Sequence, residues 1–241
     1  GTHLSKVIME LPKEKQMRTF EKVDHGNMDN VIPHHLFPTI IYEFCLNINN
    51  HDKNNMLTYI KNYNRIDEEA QNAFNLQSNQ TQPLAQTNDD LQTMSYFKKF
   101  KDEIIKLNKN ILDSLEYEYD DIIITNMWGN VMTPGEVHPP HTHSNNFLSG
   151  VFYLKTSSDT SPIQFFDPRP QANVLKPRKS GFNFLNSDVG QFNSETGYGI
   201  VFPSWLQHWV PETKDERVSI AWNVIVRGKY GEPNTLQNAT I

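Results

Sequence analysis

Between Ile122 and Arg227 the chain carries six short runs rich in β-forming residues. They are Ile122–Asn130, Leu148–Lys155, Ile163–Phe166, Tyr198–Phe202, Gln207–Val210 and Arg217–Arg227. Clusters of Pro, Gly, Asn and Asp separate them. Such a pattern points to an antiparallel barrel or jelly roll. The preceding half reads differently. A first strand is expected over 36–46, where Phe37, Ile40, Ile41, Tyr42 and Phe44 fall, and a helix over 51–63 with Met56, Leu57 and Ile60 on one face. The stretch 72–88 is dominated by Gln, Asn, Thr and Ser and reads as a loop. From Leu91 to Leu115, Phe97, Phe100, Ile104, Leu107, Ile111 and Leu115 recur at helical steps.

The expected fold class is therefore mostly β with α, the N-terminal helices packed on one sheet of a C-terminal sandwich. Residues 1–31 are polar and aperiodic and read as an arm, with Gly1-Thr2-His3 taken as a foreign scar. Residues 32–241 read as one domain. With 22 basic and 28 acidic residues the chain has a net charge of −6, which argues against binding nucleic acid through its phosphates. No apolar run approaches the roughly 18 residues of a membrane span. The lone cysteine, Cys45, rules out an intrachain disulfide and a cysteine-built zinc site. These features suggest a soluble protein of the cytoplasm.

Histidines carry the chemistry. Three stand in His138-Pro139-Pro140-His141-Thr142-His143. In an extended segment a His-x-His pair puts both imidazoles on one side, as two ligands of one metal require. The same pair is equally consistent with a surface cluster. Further on, Phe202-Pro203-Ser204-Trp205-Leu206-Gln207-His208 describes a strand, a turn and a returning strand. Leu206, His208 and Val210 share a face, so His208 points inward, as a ligand or as an ordinary core histidine. The last long strand divides cleanly. Val218, Ile220, Trp222 and Val224 form an apolar face, while Arg217, Ser219, Ala221 and Asn223 form a polar face of mostly small residues. A barrel lined by that polar face has room for a ligand, and Arg217 offers a fork suited to a carboxylate. The alternative is an Arg217 exposed on an edge strand.

Together these residues resemble the iron- and 2-oxoglutarate-dependent oxygenases, specifically the 2OG-Fe(II) oxygenases of marine bacteria and bacteriophages. The shared pattern is His141-Thr142-His143, then Ser149-Gly150-Val151-Phe152-Tyr153, the Phe-Pro-Ser-x-Leu-x-His run and Arg217-x-Ser219; it extends from the Leu-Phe-Pro-Thr start at Leu36 to about Val226. The resemblance implies a double-stranded β-helix, the jelly roll of cupins. It implies an iron(II) site at His141, His143 and His208, the catalytic residues, with 2-oxoglutarate as cosubstrate held by Arg217, Ser219, Tyr153 and Asn126. Position 143 departs from the usual Asp or Glu of the 2-His-1-carboxylate triad, which makes the site one positive charge richer. His138 is a reserve ligand, although Pro139-Pro140 is expected to break the strand between it and His141. The implied reaction is oxidation of a small-molecule or peptide substrate with release of succinate and carbon dioxide, in a host cytoplasm if the chain is phage-encoded. A three-histidine dioxygenase without cosubstrate and a non-catalytic jelly-roll module are the competing readings. A homodimer is a further open expectation. The segment 162–195, with Arg169, Lys176, Arg178 and Lys179, is read as a lid or binding loop for an acidic substrate, or as an ordinary solvated loop.

Overall fold

Alternation along the last long strand organises the molecule, because both of its faces are covered. The computed structural model describes residues 35–66 and 86–241. In chain order the elements are β1 (Tyr42–Cys45), α1 (Asn50–Ile66), two 3-10 turns (Leu91–Thr93 and Ser95–Phe97), α2 (Lys98–Ser114), β2 (Asp121–Met132), β3 (His138–His141) and β4 (Leu148–Lys155). There follow β5 (Ile163–Phe166), a 3-10 turn (Pro170–Asn173), β6 (Val189–Phe192), β7 (Tyr198–Pro203), β8 (His208–Val210), β9 (Arg217–Arg227), β10 (Lys229–Tyr230) and β11 (Ala239–Thr240). The order β1-β7-β4-β9-β2 makes a five-stranded sheet, and β3-β8-β5-β6 a four-stranded one. Every pairing within them is antiparallel. This is the jelly-roll arrangement of a double-stranded β-helix.

Val218, Ile220, Trp222 and Val224 of β9 are all buried in one cluster with Met56 and Ile60 of α1 and Phe100, Ile104, Leu107 and Ile111 of α2. The Phe100 ring lies 5.3 Å from that of Phe152 and 5.9 Å from that of Trp222. Glycine lets the layers meet. A Cβ at Gly129 would stand 2.5 Å from Ile60 Cγ1, and one at Gly150 would overlap the Trp222 ring. Helix α1 starts where the Asn49 side-chain oxygen accepts the Asp52 amide at 2.9 Å, an ordinary N-terminal cap. A second cluster, with Val151, Tyr153, Ile163, Phe165, Ile200, Phe202, Leu206 and Val210, sits between the two sheets.

Four local expectations are corrected. The first strand is confined to Tyr42–Cys45, the residues that find partners on β7. Phe37 has φ 56° and is 93% exposed, so the chain before Ile41 is not a strand. The helix expected from Leu91 begins at Lys98, because Asp89 and Asp90 are tied to Met127 of β2 and Met94 takes an extended conformation. His138 and His141 belong to one edge strand, and the Pro139-Pro140 pair shifts its register without ending it. Finally, β6 lies inside the segment read as a long loop. The arm 1–31 and most of the loop 72–88 lie outside the described residues.

Adding one methyl group tests the close approach of β4 and β9. Gly150→Ala forces the buried Trp222 ring from its place, and overpacking of this kind costs about 1–3 kcal/mol. We expect a stability loss of at least about 2 kcal/mol in urea unfolding. Unchanged stability would mean that this contact is looser than described.

Candidate metal and cosubstrate site

The polar positions of β9 and the facing positions of β2 share one side of the five-stranded sheet. Register places Met132 opposite Arg217, Asn130 opposite Ser219 and Trp128 opposite Ala221. With β3 and β8 of the other sheet they enclose a cavity of about 510 Å³. At one end stand His141, His143 and His208, each offering a ring nitrogen, all within 4.8 Å of one another. His143 Nε2 and His208 Nε2 are 3.2 Å apart. Two imidazoles bound at about 2.0–2.1 Å to one ion, side by side, leave their nitrogens separated by about 3 Å. The donor set therefore fits a divalent metal.

Ring orientation supports that fit. His141 Nδ1 lies 2.8 Å from the Pro139 carbonyl, and His208 Nδ1 lies 2.9 Å from the Leu206 carbonyl. A carbonyl only accepts, so Nδ1 holds the proton in both rings and Nε2 keeps a free lone pair. His143 is held differently. It stands beyond the end of β3, where its backbone N–H donates to the Ser204 carbonyl at 2.9 Å. Its ring lies 5.9 Å from Trp128 and 6.3 Å from Phe202. The His-x-His pair thus straddles the end of β3, with the second ring held from outside the strand.

Burial keeps the His143 and His208 rings neutral. It depresses His143 to about 3, helped by repulsion from His208 and His141. It depresses His208 to about 4, against the opposing effect of the Leu206 carbonyl. His138 also lines the cavity and is lowered to about 4, by burial first and by Arg217 second, but it stands outside the three-histidine group.

Toward the other end lies Arg217, only 2% exposed. Its Nη1 reaches Ser219 Oγ at 3.5 Å and Met132 Sδ at 3.7 Å, and its guanidinium carbon sits 4.9 Å from the centre of the Tyr153 ring. Among the described residues no carboxylate pairs with it. Arg217 Nε and Tyr153 Oη are buried without a hydrogen-bond partner. Burial raises the Tyr153 phenol above its ordinary value, partly offset by Arg217, so its hydroxyl keeps its proton. A buried cation without a counter-charge is costly. Arg217, Ser219 and Tyr153 thus present an unsatisfied, anion-seeking end, as a carboxylate ligand requires.

Asn126 does not join them. It lies on the same face of β2 but past the end of the cavity, where its Nδ2 donates to Asp89 at 2.8 Å and its carbonyl accepts from Asn223 at 3.4 Å. Trp128, Asn130 and Gln86 complete the wall and were missed. Alternation along β2 carries the signal for Trp128 and Asn130, whereas Gln86 arrives through an isolated bridge to Asn130 that no local pattern announces. In the β5–β6 segment, Arg169 pairs with Asp167 at 2.9 Å and Lys176 and Lys179 pair with Asp188 at 3.0 and 3.5 Å. Three of its four cations are thereby neutralised locally, which removes most of the case for an acidic substrate there.

Comparison with known proteins follows the same lines. Residues 126–223 match the family described as Putative 2OG-Fe(II) oxygenase. No curated protein sequence matches the chain. Among solved structures it is similar to a Pseudomonas putida prolyl-4-hydroxylase, at 13% identity and TM-score 0.51, covering 78% of this chain and 89% of that one. It is also similar to SnoN, a non-heme alpha-ketoglutarate-dependent epimerase of nogalamycin biosynthesis, at 9% identity and TM-score 0.51, covering 82% and 81%. At such identities these likenesses speak for the fold alone. No helix among the described residues is long and apolar enough to cross a membrane. The matched stretch contains all three histidines together with Arg217 and Ser219, so over these residues the chain is similar to the 2OG-Fe(II) oxygenases.

Proposed function

We propose that the chain is a hydroxylase that oxidises a C–H bond of a small-molecule or peptide substrate, with 2-oxoglutarate and dioxygen giving succinate and carbon dioxide. The observation that carries this reading is the unpaired, buried Arg217 in the same cavity as three converging imidazoles. A cosubstrate-free dioxygenase would leave that cation to the substrate. His141, His143 and His208 would hold iron(II), which supplies dioxygen activation and open coordination positions when bound.

The protein's own groups do the positioning. Arg217 takes the distal carboxylate, steadied by Ser219, and the protonated Tyr153 hydroxyl is a further donor at that end. Phe202, Val151 and Ile163 give the cavity dry walls, which strengthen every polar contact inside it. Trp128 packs beside His143, while Gln86 and Asn130 offer amides to the substrate side.

Three measurements follow. Hydrogen bonds to charged groups contribute about 1.5–3 kcal/mol each. Arg217→Ala is therefore expected to weaken 2-oxoglutarate binding at least about tenfold, or 1.4 kcal/mol, with metal content unchanged. Arg217→Lys, lacking the planar fork, falls between. Equal affinity in calorimetry for wild type and Arg217→Ala, or no succinate formed under air with iron(II), would overturn the cosubstrate assignment.

Iron content, measured after loading, should drop well below one per chain in His141→Ala and His208→Ala and persist in His143→Asp, which restores the common carboxylate ligand. Wild-type iron content in the two alanine variants would remove the metal site.

Metal-free protein should lose stability on acidification from pH 7 to 5. The ordinary histidine value is 6.5, whereas folded His143 and His208 sit at about 3 and about 4. Between those limits the unfolded chain binds protons that the folded chain refuses, so stability rises with pH through the window and falls as pH is lowered. Urea midpoints check this, and His143→Gln should flatten the slope.

A further inference from the structure

One tight turn touches two of the three ligands. Pro203–Leu206 links β7 to β8 and is closed by the Leu206 N–H donating to the Pro203 carbonyl at 3.0 Å. Its Ser204 carbonyl accepts the His143 backbone N–H, and its Leu206 carbonyl accepts the His208 ring proton. The direction in which both rings point is therefore set by where this turn sits.

The turn is itself bolted down by a buried polar chain. Ser204, fully buried, has its hydroxyl 2.8 Å from that of Ser149 on β4, which in turn donates to Asn223 Oδ1 on β9 at 2.8 Å. Since Ser149 Oγ has a single proton and gives it to Asn223, the Ser204 hydroxyl is the donor to Ser149. Asn223 Nδ2 reaches Asn126 at 3.4 Å, and Asn126 holds Asp89 at 2.8 Å, at the segment that brings Gln86 to the cavity wall. None of these hydroxyls or amides, apart from Gln86, faces the cavity. Ser149 and Asn223 lie on strands other than those that carry the ligands, so they act on the rings only through Ser204 and its turn.

We infer that Ser204, Ser149 and Asn223 are positioning residues for the metal, acting through the Pro203–Leu206 turn on His143 and His208 together. The inference rests on the metal reading above. His143 depends on it most. Its two fellow ligands each have a carbonyl on Nδ1, whereas among the described residues no carbonyl holds the His143 ring, which has only the His208 Nε2 at 3.2 Å, aromatic packing and its own backbone bond to Ser204. Breaking the bolt leaves Ser204 or Asn223 with a buried unsatisfied group, and the turn must move to relieve it.

Cobalt(II) is the probe, added to the metal-stripped full chain while visible absorption is followed. Outer-shell partners of metal ligands commonly govern 10–100-fold of metal affinity. Ser149→Ala and Ser204→Ala are each expected to weaken cobalt binding about tenfold and to move its absorption toward that of His143→Ala. The double variant should cost no more than Ser149→Ala alone, because the two share one bond. Ser194→Ala is the control. It removes another buried hydroxyl pair, Ser194 with Thr160 at 2.9 Å, away from the cavity, and should leave cobalt affinity and spectrum unchanged. Circular dichroism establishes that each variant is folded, and either serine variant suffices if the other is not. Wild-type affinity and spectrum in a folded Ser149→Ala or Ser204→Ala would overturn the inference while leaving the metal site intact. An equal loss in Ser194→Ala would also overturn it, as general loosening. Failure of the wild type to bind cobalt would instead sink the metal reading on which it stands.

Discussion

Strand β9 has no solvent-facing side between Arg217 and Val224, and the rest of the molecule is arranged around that constraint. Apolar residues on one face require a second layer, which α1 and α2 supply through Ile60, Phe100 and Ile104. Polar residues on the other face cannot be buried against hydrocarbon without partners. Ser219 and Arg217 open onto the cavity, and Asn223 is absorbed into hydrogen bonds with Ser149 and Asn126. Pairing with β2 and β4 then carries the same division across the sheet.

The electrostatics of the cavity are set by what it lacks. Among the described residues, none of its lining side chains is acidic. His143 and His208, kept neutral by burial, stand with His141 at one end, and the buried Arg217 guanidinium stands toward the other. A dicarboxylate with a metal-binding end suits that polarity. Position 143 carries a neutral imidazole in place of a carboxylate, and its placement comes from its backbone bond to Ser204 and from ring packing.

Much of this was legible in the chain. Period-two alternation identified the apolar and polar faces of β9, and helical spacing identified the buried stripe of α2, because both patterns are local and burial enforces them. Residues quoted for family resemblance also acquire physical reasons. Ser149 and Ser204 bond to each other, Gly150 makes room for Trp222, and Leu206 presents the carbonyl that orients His208. Asn126 stands past the end of the cavity, and alternation tells which face a residue occupies but not how far the cavity extends along it. The strand expected at 36–46 shrank because β propensity cannot say where a partner strand ends.

The sequence by itself determined the element types over most of the described chain, the inward face of β9 and the identity of three histidines and one arginine as the groups worth uniting. Spacing and side-chain chemistry are properties of the chain, and they survive any arrangement of it. Only the tertiary structure decided that His143 reaches His208 from beyond the end of β3, that Arg217 meets no counter-charge among the described residues, and that Gln86 and Trp128 complete the wall. Those facts depend on distances between segments far apart in sequence, and such distances are set by register and packing, which no local pattern encodes.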